Sequence, residues 1–196
     1  QIGNPNCRLL TLVGPGGIGK TRLAIEAANR TVDQFSEGAC FIELSPLFSS
    51  EHIIPAIADS LQFKIDVEAS NLSPKDQLLD FLENRSLLLI LDSFEHLIKD
   101  ATLVSEIINR APQVKVLVTS REHLKLKPEW IFELKGLKIE NAPDPQIEQV
   151  NGAVKLFIDR ARQVDHNYRV KNGDLKHVVE ICQLLHGMPL GIELAA

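Results

Sequence analysis

Gly14-Pro15-Gly16-Gly17-Ile18-Gly19-Lys20-Thr21 (GPGGIGKT) is the stretch on which the fold turns. It follows a short apolar run, Leu9–Val13, and opens a helix-like run from Arg22 onward. It satisfies G-x-x-x-x-G-K-[ST] at every fixed position. The residue types follow from what a phosphate needs: several donors at close range. Backbone N–H groups supply these where side chains do not intervene. Gly14, Gly16, Gly17 and Gly19 clear that space and permit positive φ. The start of the following helix adds unpaired N–H groups and a partial positive charge. Lys20 is placed to reach β/γ-phosphates as a point charge, and the Thr21 hydroxyl to ligate Mg²⁺.

Outward from that loop, strand and helix patterns alternate. Leu9–Val13 reads as a buried strand, and 22–35 as a helix with Leu23, Ala24, Ala27, Ala28 and Val32 at helical spacing. Further strands are expected at 39–44, 86–91, 114–119 and 130–134. Helical faces are expected around Ile53–Leu61, after Pro74 with Leu78, Leu79 and Leu82, and at 103–109. The apolar strands lack period-2 alternation, which predicts burial on both faces of a mostly parallel sheet. Residues 136–152, with Pro143 and Pro145, read as a linker. Only helices are expected beyond it. One stripe is Val154, Phe157, Ile158, Ala161 and Val164; another is Val178, Ile181, Cys182 and Leu185. The pair Gly187 and Pro189 reads as a helix stop and restart. The expected division is 1–135 for a nucleotide-binding domain, 136–152 for the linker and 153–196 for a helical subdomain.

Composition narrows the function classes. The 196 residues are 44% hydrophobic and carry a formal net charge of −5. The acidic balance argues against direct nucleic-acid binding by this segment. The longest apolar run, Leu87–Leu91, is too short for a membrane span. Cys7, Cys40 and Cys182 form no CxxC pair, so a reduced, cytoplasmic chain is the simplest expectation. Cys182 and His186, one helical turn apart, lack further ligands at metal-site spacing, and Cys182 lies on an apolar stripe. Both ends read as cut from a longer protein.

Two more strands end in chemistry. Asp92 closes the apolar run Leu87–Leu91, and ligands in open α/β sheets bind outside the carboxyl ends of strands. Asp92 is thus the expected Mg²⁺-positioning carboxylate, opposite Thr21. Glu95, three residues on, is a candidate general base or water-orienting residue, or else a helix-start carboxylate. Arg121, in Thr119-Ser120-Arg121, is a candidate contact to the γ-phosphate.

With these residues placed, the chain resembles the STAND class of P-loop NTPases, and within it the NB-ARC-like ATPase domains of bacterial transcription regulators and signalling proteins. The resemblance rests on Leu10–Ala24, Leu88–His96, Val116–Glu122, Val154–Ala161 and Gly187-Met188-Pro189-Leu190 in that order. It implies an α/β three-layer fold of the ASCE/AAA+ type, followed by the start of a small helical domain. In that sheet the phosphate-loop strand neighbours the Arg121 strand, which neighbours the Asp92 strand. It implies ATP or ADP as ligand with Mg²⁺. The nucleotide-binding residues are then Gly14, Pro15, Gly16, Gly17, Ile18, Gly19, Lys20, Thr21, Arg22 and Pro189, with Pro189 against the adenine or ribose. The metal-binding residues are Thr21 and Asp92, and Lys20, Asp92, Glu95 and Arg121 serve any hydrolysis. The resemblance also implies a switch, in which ADP holds a closed form and ATP permits opening and self-oligomerisation. Winged-helix, sensor and effector domains would flank the segment in its parent chain. Ser93 stands where many relatives carry an acid. The expected function is a slow, Mg²⁺-dependent ATPase acting as a regulatory switch. The alternatives are a dedicated P-loop enzyme (an ATPase or small-molecule kinase) and an interaction scaffold with a vestigial nucleotide site.

Overall fold

The computed structural model describes residues 1–47, 49–66, 71–139, 151–170 and 174–196. They divide into two units: Gln1–Gly14 with Lys20–Glu133, and Pro15–Gly19 with Leu134–Ala196. The first unit is built on five strands, β1 (Leu9–Val13), β2 (Ala39–Glu43), β3 (Leu88–Asp92), β4 (Lys115–Ser120) and β5 (Glu129–Glu133). They form one all-parallel sheet in the order β2-β3-β4-β1-β5. The β1, β4, β3 adjacency implied by the resemblance is therefore present.

The central strands β1 and β3 are buried along their whole length, and β4 is buried at all but its first residue. Continuous apolar runs are what a strand covered on both faces requires. For β2 and β5 that expectation is corrected. They are the two edges of the sheet, and most of their residues are exposed, Phe41, Trp130, Ile131 and Phe132 among them. An edge strand has a neighbour on one side only, so apolar content alone does not bury it.

Among the described residues, four α-helices accompany this sheet: α1 (Lys20–Thr31), α2 (Ile53–Ser60), α3 (Pro74–Leu82) and α4 (Thr102–Arg110). The helix expected at 22–35 starts two residues earlier and gives way to a 3-10 turn at Val32–Gln34. Leu23, expected on its packed face, is instead exposed. The main core joins Leu89 and Leu91 of β3, Val116 and Val118 of β4, and apolar residues of α2, α3 and α4. Successive side chains of a strand alternate faces, so Leu88, Ile90 and Asp92 project to the opposite face. There α1, buried through Ala24 and Ala28, packs on β1, β3 and β4. This arrangement brings the start of α1 to Asp92.

The α3 start matches its sequence signal. Ser73 is the N-cap, Pro74 takes the first turn, and the Ser73 hydroxyl accepts the Asp76 N–H at 3.2 Å. Ser73→Ala is expected to destabilise the chain by about 1 kcal/mol, measured by urea denaturation. An unchanged midpoint would remove the cap from the account of this helix.

The second unit holds α5 (Gly152–Val164), α6 (Asp174–Leu184) and α7 (Pro189–Ala195). Val154, Phe157, Ile158 and Ala161 of α5 join Val178 and Cys182 of α6 and Ile192 of α7 in a separate core. Val164, placed on the same stripe by spacing, is exposed as the last residue of its helix. Leu137 and Ile139, inside the expected linker, pack against this core, while residues 140–150 of that stretch lie outside the described residues. Gly187 stands at φ +67, and any side chain there would run into the Leu137 backbone. That close approach accompanies the Leu137 N–H bond to the Gly187 carbonyl, 2.8 Å. Among the described residues no helix is long and apolar enough to cross a membrane.

Candidate functional site

In the first unit the candidate residues gather at the carboxyl ends of β1, β3 and β4. Lys20 and Thr21 are the first two residues of α1. Asp92 ends β3, and Thr119 lies one residue before the end of β4. The register that pairs Leu91 with Val118 continues to bring Asp92 beside Thr119. The Asp92 carboxylate is buried, 5% exposed. Its Oδ1 accepts the Thr21 hydroxyl at 2.8 Å and the Thr119 hydroxyl at 2.6 Å. A buried carboxylate needs such partners, because removal from water otherwise costs it heavily.

Lys20 Nζ donates to the Gly14 carbonyl at 2.9 Å. Burial pulls the Lys20 pKa below the ordinary lysine value, and the nearby Arg121 charge adds to this. The Glu95 and Asp92 carboxylates act in the opposite direction. Asp92, Glu95 and Arg121, the other candidates for hydrolysis, therefore lie within electrostatic reach of Lys20. Glu95 sits in a 3-10 segment, Phe94–Asp100, and its Oε1 pairs with Arg121 Nε at 3.2 Å. The other carboxylate oxygen, Oε2, is buried without a hydrogen-bond partner among the described residues. Arg121 itself is largely exposed. Arg22, the third residue of α1, points to solvent.

Ile18 is buried and Gly17 partly so, while Pro15 and Gly16 are exposed. Gly17 and Gly19 adopt φ +76 and +95, which the glycine pattern anticipates. A Cβ on Gly19 would meet nothing within 4 Å, so the backbone there faces open space. Within the second unit, Pro189 opens α7, and the Leu190 N–H donates to the Gly17 carbonyl at 3.2 Å. A Cβ on Gly17 would stand 2.8 Å from Leu190 Cβ.

Sequence reasoning passed over two features. Thr119 was visible only as part of the Arg121 motif, although a hydroxyl ending a strand next to the Asp92 strand was the available signal. The pairing of Glu95 with Arg121 had no signal, because the two are 26 residues apart, on the numbering of the chain, and meet only through the sheet order. Among the described residues no three His, Cys, Asp or Glu side chains cluster as a metal cage.

Comparison with known proteins bears on family and fold. A Mycobacterium bovis protein bearing the name of an HTH-type transcriptional regulator is 35% identical over 190 residues, covering 96% of this chain. The chain spans 20% of that relative's length. The crystal structure of a STAND protein with a tetratricopeptide repeat sensor, from Pyrococcus horikoshii, superposes with a TM-score of 0.57 at 18% identity. That match covers 94% of this chain and 27% of the other. The crystal structure of Cdc6p from Pyrobaculum aerophilum gives 0.60 at 14% identity, covering 95% and 53%. At these identities the structural likeness is one of fold, the three-layer P-loop NTPase architecture. The description of the NB-ARC domain matches residues 2–127, and the chain therefore belongs to the NB-ARC domain family.

Proposed function

We propose that this chain is an ATP/ADP-binding regulatory switch module with slow Mg²⁺-dependent ATPase activity. The observation that carries the reading is the convergence of the Thr21 and Thr119 hydroxyls on buried Asp92 beside Lys20. The residues present fit the ligand. Gly19 offers open backbone at the end of a glycine loop, and α1 begins directly after it. Thr21 and Asp92 would hold Mg²⁺, which supplies charge neutralisation of the phosphates when bound.

Lys20 binds phosphate oxygens and stabilises the charge that develops in phosphoryl transfer. Arg121 leaves its exposed pairing with Glu95 for a γ-phosphate, where a charge-assisted contact is stronger. Glu95, freed of that partner, orients the attacking water. Pro189 is proposed as a nucleotide contact on the family resemblance. The name of the Mycobacterium relative supports a parent protein that regulates transcription. Flanking winged-helix, sensor and effector domains, ATP-dependent self-association and a cytoplasmic location extend that proposal on the family resemblance.

Calorimetric titration of ATP and ADP, with Mg²⁺ and with EDTA, tests the reading. Micromolar binding strengthened by Mg²⁺ is expected, and absence of binding to both nucleotides would overturn it. Arg121→Ala separates the two nucleotides: ATP affinity falls about tenfold, the scale of one hydrogen bond to a charged group, while ADP affinity changes little. Equal losses for both would remove Arg121 from γ-phosphate sensing.

A further inference from the structure

Thr119 is wholly buried, and both ends of its hydroxyl are committed. It donates to Asp92 Oδ1 at 2.6 Å and accepts the Ser93 N–H at 2.9 Å. Ser93 holds φ +64, a left-handed conformation that a residue with a Cβ adopts at a cost. The bond to Thr119 offsets that cost and ties the backbone just past β3 to β4. Two anchors therefore fix the Thr119 rotamer, and Thr119 in turn fixes the Asp92 carboxylate.

Thr21 shares the same carboxylate oxygen, at 2.8 Å. A hydroxyl has one proton and two lone pairs. With its proton held by Asp92, Thr21 turns its lone pairs away from the carboxylate, which is the orientation a cation ligand needs. We infer that Thr119 is the positioning residue of the cation site: acting through Asp92 Oδ1, it sets the Thr21 hydroxyl and hence the divalent-cation affinity of the nucleotide-bound chain. This rests on the nucleotide reading above. Partners one step removed from a metal's ligands commonly govern its affinity in this manner.

The test uses the whole 196-residue chain, saturated with ADP, and Mn²⁺ as the probe, followed by electron paramagnetic resonance. Thr119→Val keeps the shape and removes the hydroxyl. It is expected to weaken Mn²⁺ binding by about 10- to 100-fold, with a much smaller loss of ADP affinity in EDTA. Thr119→Ser keeps the hydroxyl and is expected to restore Mn²⁺ binding. A purely structural role would lower ADP affinity in EDTA and Mn²⁺ affinity together. Thr119→Ala carries the same test if the valine variant does not fold. Wild-type Mn²⁺ affinity in Thr119→Val, or a loss in Thr119→Ser as large as in Thr119→Val, overturns the inference while leaving nucleotide binding intact. Failure of the wild-type chain to bind ADP at all would overturn both.

Discussion

Lys20→Ala lowers the affinity of the chain for ATP by about 100-fold, the loss expected when charge-assisted contacts worth roughly 3 kcal/mol disappear. The side chain stands at the first residue of α1, partly desolvated, with its ammonium on the Gly14 carbonyl. Burial disfavours its charged form, so the unliganded protein gains little from it. A phosphate group shifts that balance, because it adds a strongly anionic partner in a partly dehydrated setting. The variant is expected to unfold at nearly the wild-type urea concentration while losing ATP in calorimetry. If Lys20→Ala binds ATP and ADP as tightly as wild type, the glycine loop is not a phosphate site and the functional reading collapses.

Leu89→Ala destabilises the chain by about 2–5 kcal/mol. Leu89 lies in β3, between β2 and β4, with no exposed surface, and belongs to the main core. Truncation loses the transfer of its methyl groups from water and leaves a cavity that a central parallel strand cannot collapse to fill. Asp92 is three residues further along the same strand, so loosened pairing there also loosens the carboxylate. Urea denaturation followed by circular dichroism gives the stability change. A loss below about 1 kcal/mol, outside the range for buried leucine truncation, would mean that this strand is not the packed centre of the sheet.

Much of the candidate site was legible because its signals are local. The glycines and Lys20-Thr21 are consecutive, and the conformations they require are decided within a few residues. Asp92 and Arg121 were marked by their places just after apolar runs, where a strand must end. Strand boundaries at β1 and the start of α3 were equally local: an apolar run, and a serine cap followed by proline.

The less legible parts depend on which strands become neighbours. The β2 and β5 sequences look as apolar as central strands, but position at an edge decides exposure. The Thr21–Asp92 bond spans 71 residues and the Thr119–Asp92 bond 27. Neither separation carries a periodicity that a sequence window can detect. Glu95 read equally well as a helix-start carboxylate or a base, and its pairing with Arg121 follows from β3 lying beside β4.

By itself, then, the sequence determined a glycine loop between strand and helix, a carboxylate and an arginine at strand ends, and a family resemblance resting on those motifs. Each is a short-range property, set by backbone freedom, apolar run length or the chemistry of adjacent side chains. Only the tertiary structure decided that two threonine hydroxyls share one buried carboxylate oxygen, and that Glu95 pairs with Arg121. Those pairings exist because β3 and β4 lie side by side in parallel with α1 packed across them, and such long-range order comes from burying the whole sheet at once.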